Sequence, residues 1–283
     1  MSKYNIRTSP RDTVARKEGV ASYLGTHVMG ESGFICGDQR VCRASCDGAF
    51  HEGQLHHIGQ HYDAYIDDQP FRVVVVGQEY GHPPALVGLK ARERMILSSA
   101  LEHRFVGHDG LPGRNPHMRG TTSLLRLLYG GPPGEDYEGE WITTVDGTKL
   151  HVFEAFALVN YLLCSATPEG SSRGQSTRVM KTNCAEHFRR VLEILSPTVL
   201  ICQGKGFSSW VSKALGGCPI DSEHPLFRFS IGGTQAVGAI LNHPSTPRWA
   251  HSWGSIKAPY LRQTVLPTIN AIRQELSLHP VEW

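Results

Sequence analysis

The sequence predicts an α/β fold: a three-layer α/β/α arrangement around a central, mostly parallel sheet of four strands. Short apolar runs rich in β-branched residues recur along the chain, and amphipathic helical patterns lie between them. A chain of 283 residues that is 40% hydrophobic is also long enough to bury such a sheet on both faces. In folds of this class, ligands bind at the carboxyl ends of the strands.

The predicted strands share an apolar run that ends at a polar, Gly- or Pro-marked loop. The clearest has four consecutive valines between Arg72 and Gly77, which is typical of a strand buried on both faces. The four predicted strands are residues 72–77, 151–160, 198–203 and 236–241.

Four helices are predicted from apolar residues at helical spacing. In the first, hydroxyls from Thr121 onward favour an N-terminal cap before paired leucines. The second ends before Pro197, and Pro267 kinks or divides the last. The predicted helices are residues 121–129, 182–195, 207–215 and 260–276.

The domain organisation predicted from the sequence is simple. Residues 1–35 are polar and predict an N-terminal arm, with a loosely packed helix around residues 14–24 as the alternative. Residues 36–283 predict a single domain, because no internal repeat or low-complexity tract divides them. A Gly- and Pro-rich stretch near 130–150 is interpreted as a surface insertion that ends in a hairpin.

Charge and hydropathy exclude several classes of protein. The chain carries 28 Lys and Arg against 26 Asp and Glu, a net charge of +2, which excludes a strongly cationic nucleic-acid coat protein. The longest apolar stretch, residues 152–164, contains Glu154 and Asn160 and is too short to cross a membrane. Since no export signal opens the chain, we expect a cytoplasmic protein, and we expect a monomer.

The seven cysteines form two groups and two isolated thiols. Cys36, Cys42 and Cys46 lie within eleven residues, while Cys164 and Cys184 form a second pair separated by a polar loop. This spacing can deliver four thiolates to zinc or to an iron–sulfur cluster, and scattered free thiols are the alternative. Two further cysteines stand apart: Cys202, which is predicted to be a core side chain, and Cys218.

Polar residues follow three of the predicted strands. Gln78 and Glu79 lie on the turn after the first strand, Asn160 ends the second, and His243 follows the fourth. A carboxylate can hold a water, an amide can read one edge of a heterocycle, and an imidazole can donate to a developing anion. Each residue taken alone fits an ordinary exposed turn, a loop-capping Asn or a loop histidine equally well.

The order of these motifs resembles the uracil-DNA glycosylase superfamily. The first is Gly77-Gln-Glu-Tyr-Gly-His82, and the last is His243-Pro-Ser-Thr. The iron–sulfur branch is the closer match, because Asn160 is followed four residues later by Cys164, and Cys184 lies at a helix start. The resemblance implies a [4Fe–4S] cluster held by Cys42, Cys46, Cys164 and Cys184, with Cys36 as a spare or substitute ligand.

The resemblance also implies a role for each strand-end residue. Glu79 would position the attacking water, His243 would stabilise the uracil anion at its O2, Asn160 would read uracil, and Gln78 would support the base. His117 occupies the register of the base-stacking phenylalanine. Gly81 falls where the best-known branch has a tyrosine that excludes thymine, so the preferred lesion stays open among uracil, hypoxanthine, xanthine and others.

Uracil-containing DNA is the partner that the resemblance implies. Ser245, Arg248 and Trp249 lie where the superfamily contacts phosphate or wedges into the duplex. Because the net charge is only +2, DNA binding would depend on a local basic surface. The candidate residues for this surface are Arg114, Arg119, Lys205, Arg248 and Lys257, and the alternative is that they are ordinary solvated side chains. Two other functions stay open: a superfamily member without glycosylase activity that binds DNA or senses damage, and a zinc-stabilised hydrolase.

Overall fold

The structure of the chain is a computed structural model that describes residues 5–79, 86–170, 174–219 and 225–282. Its helices are α1 (Pro10–His27), α2 (Gln39–Ala44), α3 (Leu89–Leu101), α4 (Pro116–Leu128), α5 (Arg178–Leu195), α6 (Ser208–Leu215) and α7 (Leu266–Glu275). Its strands are β1 (Ile6–Thr8), β2 (Met29–Gly30), β3 (Gly33–Phe34), β4 (Ala49–His51), β5 (His57–Ile58), β6 (Ala64–Ile66), β7 (Gln69–Pro70), β8 (Val73–Gly77), β9 (Trp141–Thr143), β10 (Lys149–His151), β11 (Phe156–Asn160), β12 (Ser165–Thr167), β13 (Val199–Gln203), β14 (Cys218–Pro219), β15 (Leu226–Ile231) and β16 (Thr234–Leu241).

The main sheet has the strand order β14-β15-β16-β13-β8-β11-β5. Its four inner strands, β16, β13, β8 and β11, run parallel, and each overlaps one of the four predicted strands. The predicted start of the second strand at residue 151 is wrong, because Val152–Glu154 form a 3₁₀ turn and β11 begins at Phe156. The predicted size of the sheet is wrong, because β15 and β5 add antiparallel partners on the two sides and the two-residue β14 brings the total to seven. The fold is thus mixed α/β with a parallel centre.

The carboxyl ends of the parallel strands are in register. Asn160 of β11 lies opposite Gly77 of β8, and Cys202 of β13 lies opposite Val76, so Gln203 is level with Gly77. Side chains alternate between the faces of a sheet, which places Asn160 and Gln203 on the same face at the same height. Gly77, which has no side chain, lies between them.

Two hydrophobic clusters lie against the sheet. Val73 and Val75 belong to the first cluster, with side chains of α3, α4 and α7, whereas Val74 and Val76 belong to the second, with side chains of α1, α2, α5 and α6. Each of these valines is fully buried, which is worth roughly 1.5–3 kcal/mol per side chain relative to exposure. This double burial explains why β8 reads as a continuous apolar run.

The helix containing the predicted stacking residue begins earlier than expected. Asn115 caps α4 by accepting a hydrogen bond from the Met118 N–H (2.9 Å), and Pro116 occupies the first turn. The predicted start at residue 121 is therefore wrong. The Thr121 hydroxyl lies inside the helix and donates to the carbonyl of His117 (3.1 Å), which places His117 in the first turn.

Other helices differ from the sequence expectation in their bounds. Helix α5 starts at Arg178, capped by Thr177, and ends with Ser196 in a left-handed conformation directly before Pro197, as predicted. Cys184 consequently lies within α5 and does not open it. At the C-terminus, the predicted helix is divided at Pro267, where a π-helical turn gives way to α7.

The segments predicted to be peripheral contribute to the core. Helix α1 buries Val20 and Leu24 in the second cluster, so this part of the chain packs as a full helix. The stretch near 130–150 forms the hairpin β9–β10, as predicted, but Ile142 and Leu150 belong to the first cluster, so it is not confined to the surface. Helix α3 was not predicted.

Candidate active site

A cavity of about 920 Å³ opens at the carboxyl ends of the parallel strands, within the size range of small-ligand sites. The ends of β8, β11 and β13 contribute to its lining together with α3, α4 and the loop after β16. Six predicted site residues share this lining: Gln78, Glu79, His117, Asn160, His243 and Ser245. They come from four separate segments of the chain, so the fold brings them together.

Asn160 is buried at the end of β11, and both its side chain and its backbone N–H donate hydrogen bonds. Its Nδ2 donates to the carbonyl of Gln54 (3.1 Å), and its backbone N–H donates to Nδ1 of His56 (3.2 Å). Burial, and then the charge of Arg92, lower the pKa of His56 to about 3, so His56 stays neutral and can accept this bond. The Asn160 amide is thereby presented in one orientation at the cavity.

Glu79 follows β8, and one of its two carboxyl oxygens is buried without a hydrogen-bond donor among the described residues. The neighbouring Gln78 is anchored by donating from Nε2 to the Ser176 hydroxyl (3.1 Å), and Oε1 of Glu79 lies against Gly174. Oε2 is buried and accepts no hydrogen bond from the described residues. Burial raises the pKa of Glu79 to about 7, against the opposing effects of Gln78 and Lys181. A carboxylate with this pKa suits general-base chemistry near neutral pH.

His243 is presented by a tight turn after β16. The Ser245 N–H donates to Nδ1 of His243 (3.1 Å), so the neutral imidazole has its proton on Nε2. The Thr246 hydroxyl donates to the His243 carbonyl (2.7 Å), and Nε1 of Trp253 donates to the carbonyl of Asn242 (2.8 Å). Burial lowers the pKa of His243, which favours a neutral ring with an Nε2–H donor at neutral pH.

His117 stacks on His243. The two ring centroids are 5.2 Å apart with an interplanar angle of 23°. Burial lowers the pKa of His117 to about 3, and His243 and Arg92 contribute to the lowering. Gly120 of α4 lies close to Pro244, the residue that follows His243. A β-carbon at position 120 would overlap the proline ring. The stacking candidate and the anion-stabilising candidate therefore form one wall.

Sequence reasoning missed several polar residues of the cavity, among them Gln203, Arg92 and His103. Gln203 ends β13 as Asn160 ends β11, a signal that was available in the sequence. Arg92 and His103 lie on α3 and just after it. Arg92 is buried, so the wall contains a positive charge in a region of restricted water access.

Arg114 lines the cavity but does not belong to an exposed basic surface, so its predicted role in a DNA-binding patch is wrong. Its Nη1 pairs with Oε1 of Glu140 (2.6 Å), and both side chains are fully buried. Nε2 of His151 lies 2.9 Å from the other oxygen of Glu140. Burial alone would raise the pKa of Glu140, but the hydrogen bonds with His151 and Arg114 hold it below its ordinary value.

The remaining predicted DNA contacts differ in their exposure. Four of them are exposed: Ser245, Arg248, Lys205 and Lys257. Arg119 is half-buried, with a buried Nε. Trp249 begins a short 3₁₀-helix, and its side chain lies outside the described part of the structure. The first-motif residues Tyr80, Gly81 and His82 also lie outside the described residues.

The five grouped cysteines lie in one region of the fold. Cys42, Cys164 and Cys184 are buried in the second hydrophobic cluster, and Cys46 packs against it. Burial raises the pKa of Cys164, and the neighbouring thiols of Cys184, Cys36 and Cys42 raise it further. Burial likewise raises the pKa of Cys184 to about 12, with Cys42 and Cys36 adding to the effect. Four thiols therefore act on one another electrostatically.

The contacts of Cys46 differ from those of Cys36. Sγ of Cys46 lies 3.2 Å from the carbonyl oxygen of Cys42 and 3.4 Å from Sδ of Met180. Sγ of Cys36 lies 3.8 Å from Nε2 of His187. Across residues 5–79, 86–170, 174–219 and 225–282, no three His, Cys, Asp or Glu side chains form a preformed metal-binding group. The region fits a thiolate-bound cluster in donor type.

Comparisons with protein-family models and with curated proteins find no match for this chain. No helix among the described residues combines the length and apolar character needed to cross a bilayer. The fold and site define a mixed α/β protein with a polar cavity at the carboxyl edge of its parallel strands.

Proposed function

We propose that the chain is a DNA glycosylase that binds a flipped-out uracil, or a related deaminated base, and hydrolyses its N-glycosidic bond. The observation that supports this most is the convergence of Asn160, Glu79, His117 and His243 in one cavity. The motif resemblance assigns these residues to reading, hydrolysis, stacking and anion stabilisation, four tasks that base excision requires. The proposal includes the three-layer α/β/α arrangement of the superfamily.

The proposed reaction begins with the base bound against the wall formed by His117. The Asn160 amide reads the pyrimidine edge, and Gln78, fixed by Ser176, supports the base. The bond between C1′ of the sugar and N1 of uracil then breaks, and its electron pair stays on the base. The Nε2–H of neutral His243 donates to O2 of the uracil anion, and the buried charge of Arg92 favours the same anion.

Glu79 completes the reaction. Its unpaired Oε2 holds a water, which attacks C1′ of the oxocarbenium-like sugar while the carboxylate accepts the proton of the water. The sugar is left as an abasic site with a hydroxyl at C1′. This role requires the ionised carboxylate, so the pKa of about 7 makes the reaction faster above neutral pH.

The proposed cofactor is a [4Fe–4S] cluster. The residues that would hold it are Cys42, Cys46, Cys164 and Cys184, with Cys36 as the substitute for one of the first two. When bound, the cluster would supply a cross-link among α2, the segment after β11, and α5, and no electron to the reaction. The partner would be uracil-containing DNA, contacted by Ser245, Arg248 and Trp249. We also propose a monomer located in the cytoplasm.

Release of free uracil from a uracil-containing oligonucleotide tests the function, with alkali cleavage reporting the abasic site. We expect release by the cluster-loaded protein, and its loss in Glu79→Gln and His243→Ala. His108→Ala, which changes an exposed histidine paired with Asp109, is the matched control and should remain active.

A panel of single lesions in single- and double-stranded DNA then ranks the preferred base. An intact strand for every lesion would overturn the glycosylase proposal. Lesion-selective binding without cleavage would instead support a damage-sensing module.

A further inference from the structure

The five grouped cysteines outnumber the ligands of a [4Fe–4S] cluster by one, and Cys36 and Cys46 compete for the last position. A cysteine that ligates a metal does so as a thiolate, which has no hydrogen to donate and is stabilised by N–H donors. A free thiol can instead donate its own hydrogen to an acceptor. The hydrogen-bond partners of each sulfur therefore distinguish a ligand from a free thiol.

The sulfur of Cys36 faces a ring nitrogen. Sγ of Cys36 lies 3.8 Å from Nε2 of His187 on α5. The hydroxyl of Tyr23 on α1 lies 2.9 Å from Nδ1 of the same ring. When the Tyr23 hydroxyl donates to Nδ1, the neutral imidazole has its proton on Nε2 and can donate it to the sulfur. The surroundings of Cys36 therefore suit a thiolate.

The sulfur of Cys42 faces a donor on the same helix. Nδ2 of Asn183 donates to Sγ of Cys42 (3.5 Å). Asn183 lies one residue before Cys184 and His187 lies three residues after it. The N–H donors to Cys36 and Cys42 thus come from positions of α5 on either side of a predicted ligand.

The sulfur of Cys46 faces acceptors. It lies 3.2 Å from the carbonyl oxygen of Cys42 and 3.4 Å from Sδ of Met180. The Ser45 hydroxyl is 3.9 Å from this sulfur, but it donates its hydrogen to the Cys42 carbonyl (2.7 Å). A protonated thiol can donate to that carbonyl, whereas a thiolate would place its negative charge against the carbonyl lone pairs. The surroundings of Cys46 therefore suit a free thiol.

We propose that Cys36, and not Cys46, is the fourth ligand of the cluster, and that His187 donates a hydrogen bond to the sulfur of Cys36. The complete ligand set is then Cys36, Cys42, Cys164 and Cys184. The first two thiols already act on the other two, since both contribute to raising the pKa of Cys164 and of Cys184. This assignment rests on the proposed cofactor.

Matched alanine variants of the full chain, reconstituted with iron and sulfide, test the ligand set. Cys36→Ala should lose the visible absorbance of the cluster and retain about tenfold less iron or lower, whereas Cys46→Ala should keep both. The two cysteines are partly buried to a similar degree, so the variants remove the same group from comparable surroundings.

Alkylation of the wild-type protein tests the ligand set without a substitution. In the cluster-loaded protein, Cys36 should resist iodoacetamide and Cys46 should react, because ligation protects a sulfur. After a chelator has removed the iron, both should react. Mass spectrometry of the peptides gives the labelled fraction at each position.

His187→Leu tests the hydrogen bond to Cys36. The variant should make the bound cluster harder to reduce, because an N–H donor to a ligand sulfur stabilises the negative charge that reduction adds. His27→Leu is the matched control, since His27 is an exposed histidine whose ring also packs against Tyr23, and it should leave the reduction potential unchanged.

Retention of the cluster by Cys36→Ala, its loss in Cys46→Ala, or equal alkylation of Cys36 with and without iron would overturn the ligand assignment. An unchanged reduction potential in His187→Leu would overturn the role of His187. A wild-type protein that binds no iron would overturn both, whereas uracil release would still decide the proposed glycosylase function.

Discussion

Substituting Glu79 by Gln should make the protein inactive and, above neutral pH, more stable. Burial raises the pKa of Glu79 from 4.5 to about 7, so the folded protein disfavours the ionised form. A tenfold change in proton affinity corresponds to roughly 1.4 kcal/mol, and ionising this carboxyl in the folded state therefore costs about 3 kcal/mol relative to the unfolded chain.

The sign of the pH dependence follows from the raised pKa. Below pH 4.5 the carboxyl is protonated in both folded and unfolded chains and costs nothing. Between pH 4.5 and about 7 the folded protein retains a proton that the unfolded chain has lost, so stability falls as pH rises. Gln cannot ionise, so the variant should not show this loss.

Urea unfolding at acidic and mildly alkaline pH measures the effect. The free energies of unfolding of wild type and Glu79→Gln should be similar at the acidic pH and differ by up to about 3 kcal/mol at the alkaline pH, with the variant more stable. Base release by the wild type should increase through about pH 7. Equal stability of the two proteins at both pH values would refute the assignment of a desolvated carboxylate, even if the variant were inactive.

Three further predictions concern other parts of the molecule. Asn160→Ala should lower kcat/KM for uracil release by about 100-fold or more, since the reading amide is lost, and unchanged kinetics would exclude Asn160 from base recognition. Glu140→Gln should lower the free energy of unfolding by about 3 kcal/mol, because the buried charge of Arg114 loses its partner, whereas the exposed Glu138→Gln should have little effect; equal stability of the two variants would contradict this. Cys164→Ser should lose the visible absorbance of the cluster while Cys202→Ser keeps it, and retained colour in Cys164→Ser would remove Cys164 from the ligand set.

The parallel centre of the sheet was predictable because its strands are buried on both faces. Strands buried on both faces have mostly apolar sequences, and this pattern identified β8, β11, β13 and β16. Helix α3 gave a weaker signal, since its buried stripe is formed by Arg92, Ile96 and Ala100, of which only one is a large apolar residue. The two-residue strands β5 and β14 are too short to have a period.

The site residues that directly follow strands were predictable from the sequence. Residues whose environment depends on contacts with distant parts of the chain were not. Parallel strands bring their carboxyl ends to one edge, which is why Glu79, Asn160 and His243 share a cavity. Arg114 was assigned to the surface because no local pattern indicates that Glu140 reaches it through the β9–β10 segment. Gln203 was passed over because it was treated only as the end of an apolar strand.

The contact of Gly120 with Pro244 has a consequence for how the site tolerates change. His117 and His243 belong to parts of the chain that are distant in sequence, and this contact of a glycine with a proline ring fixes the distance between them. Any side chain at position 120 would separate α4 from the loop after β16 and open the imidazole stack. The spacing of the stack is therefore set outside the cavity, by a residue that does not line it. Substituting Gly120 by alanine should therefore increase the distance between the His117 and His243 rings without changing any of the chemical groups in the cavity.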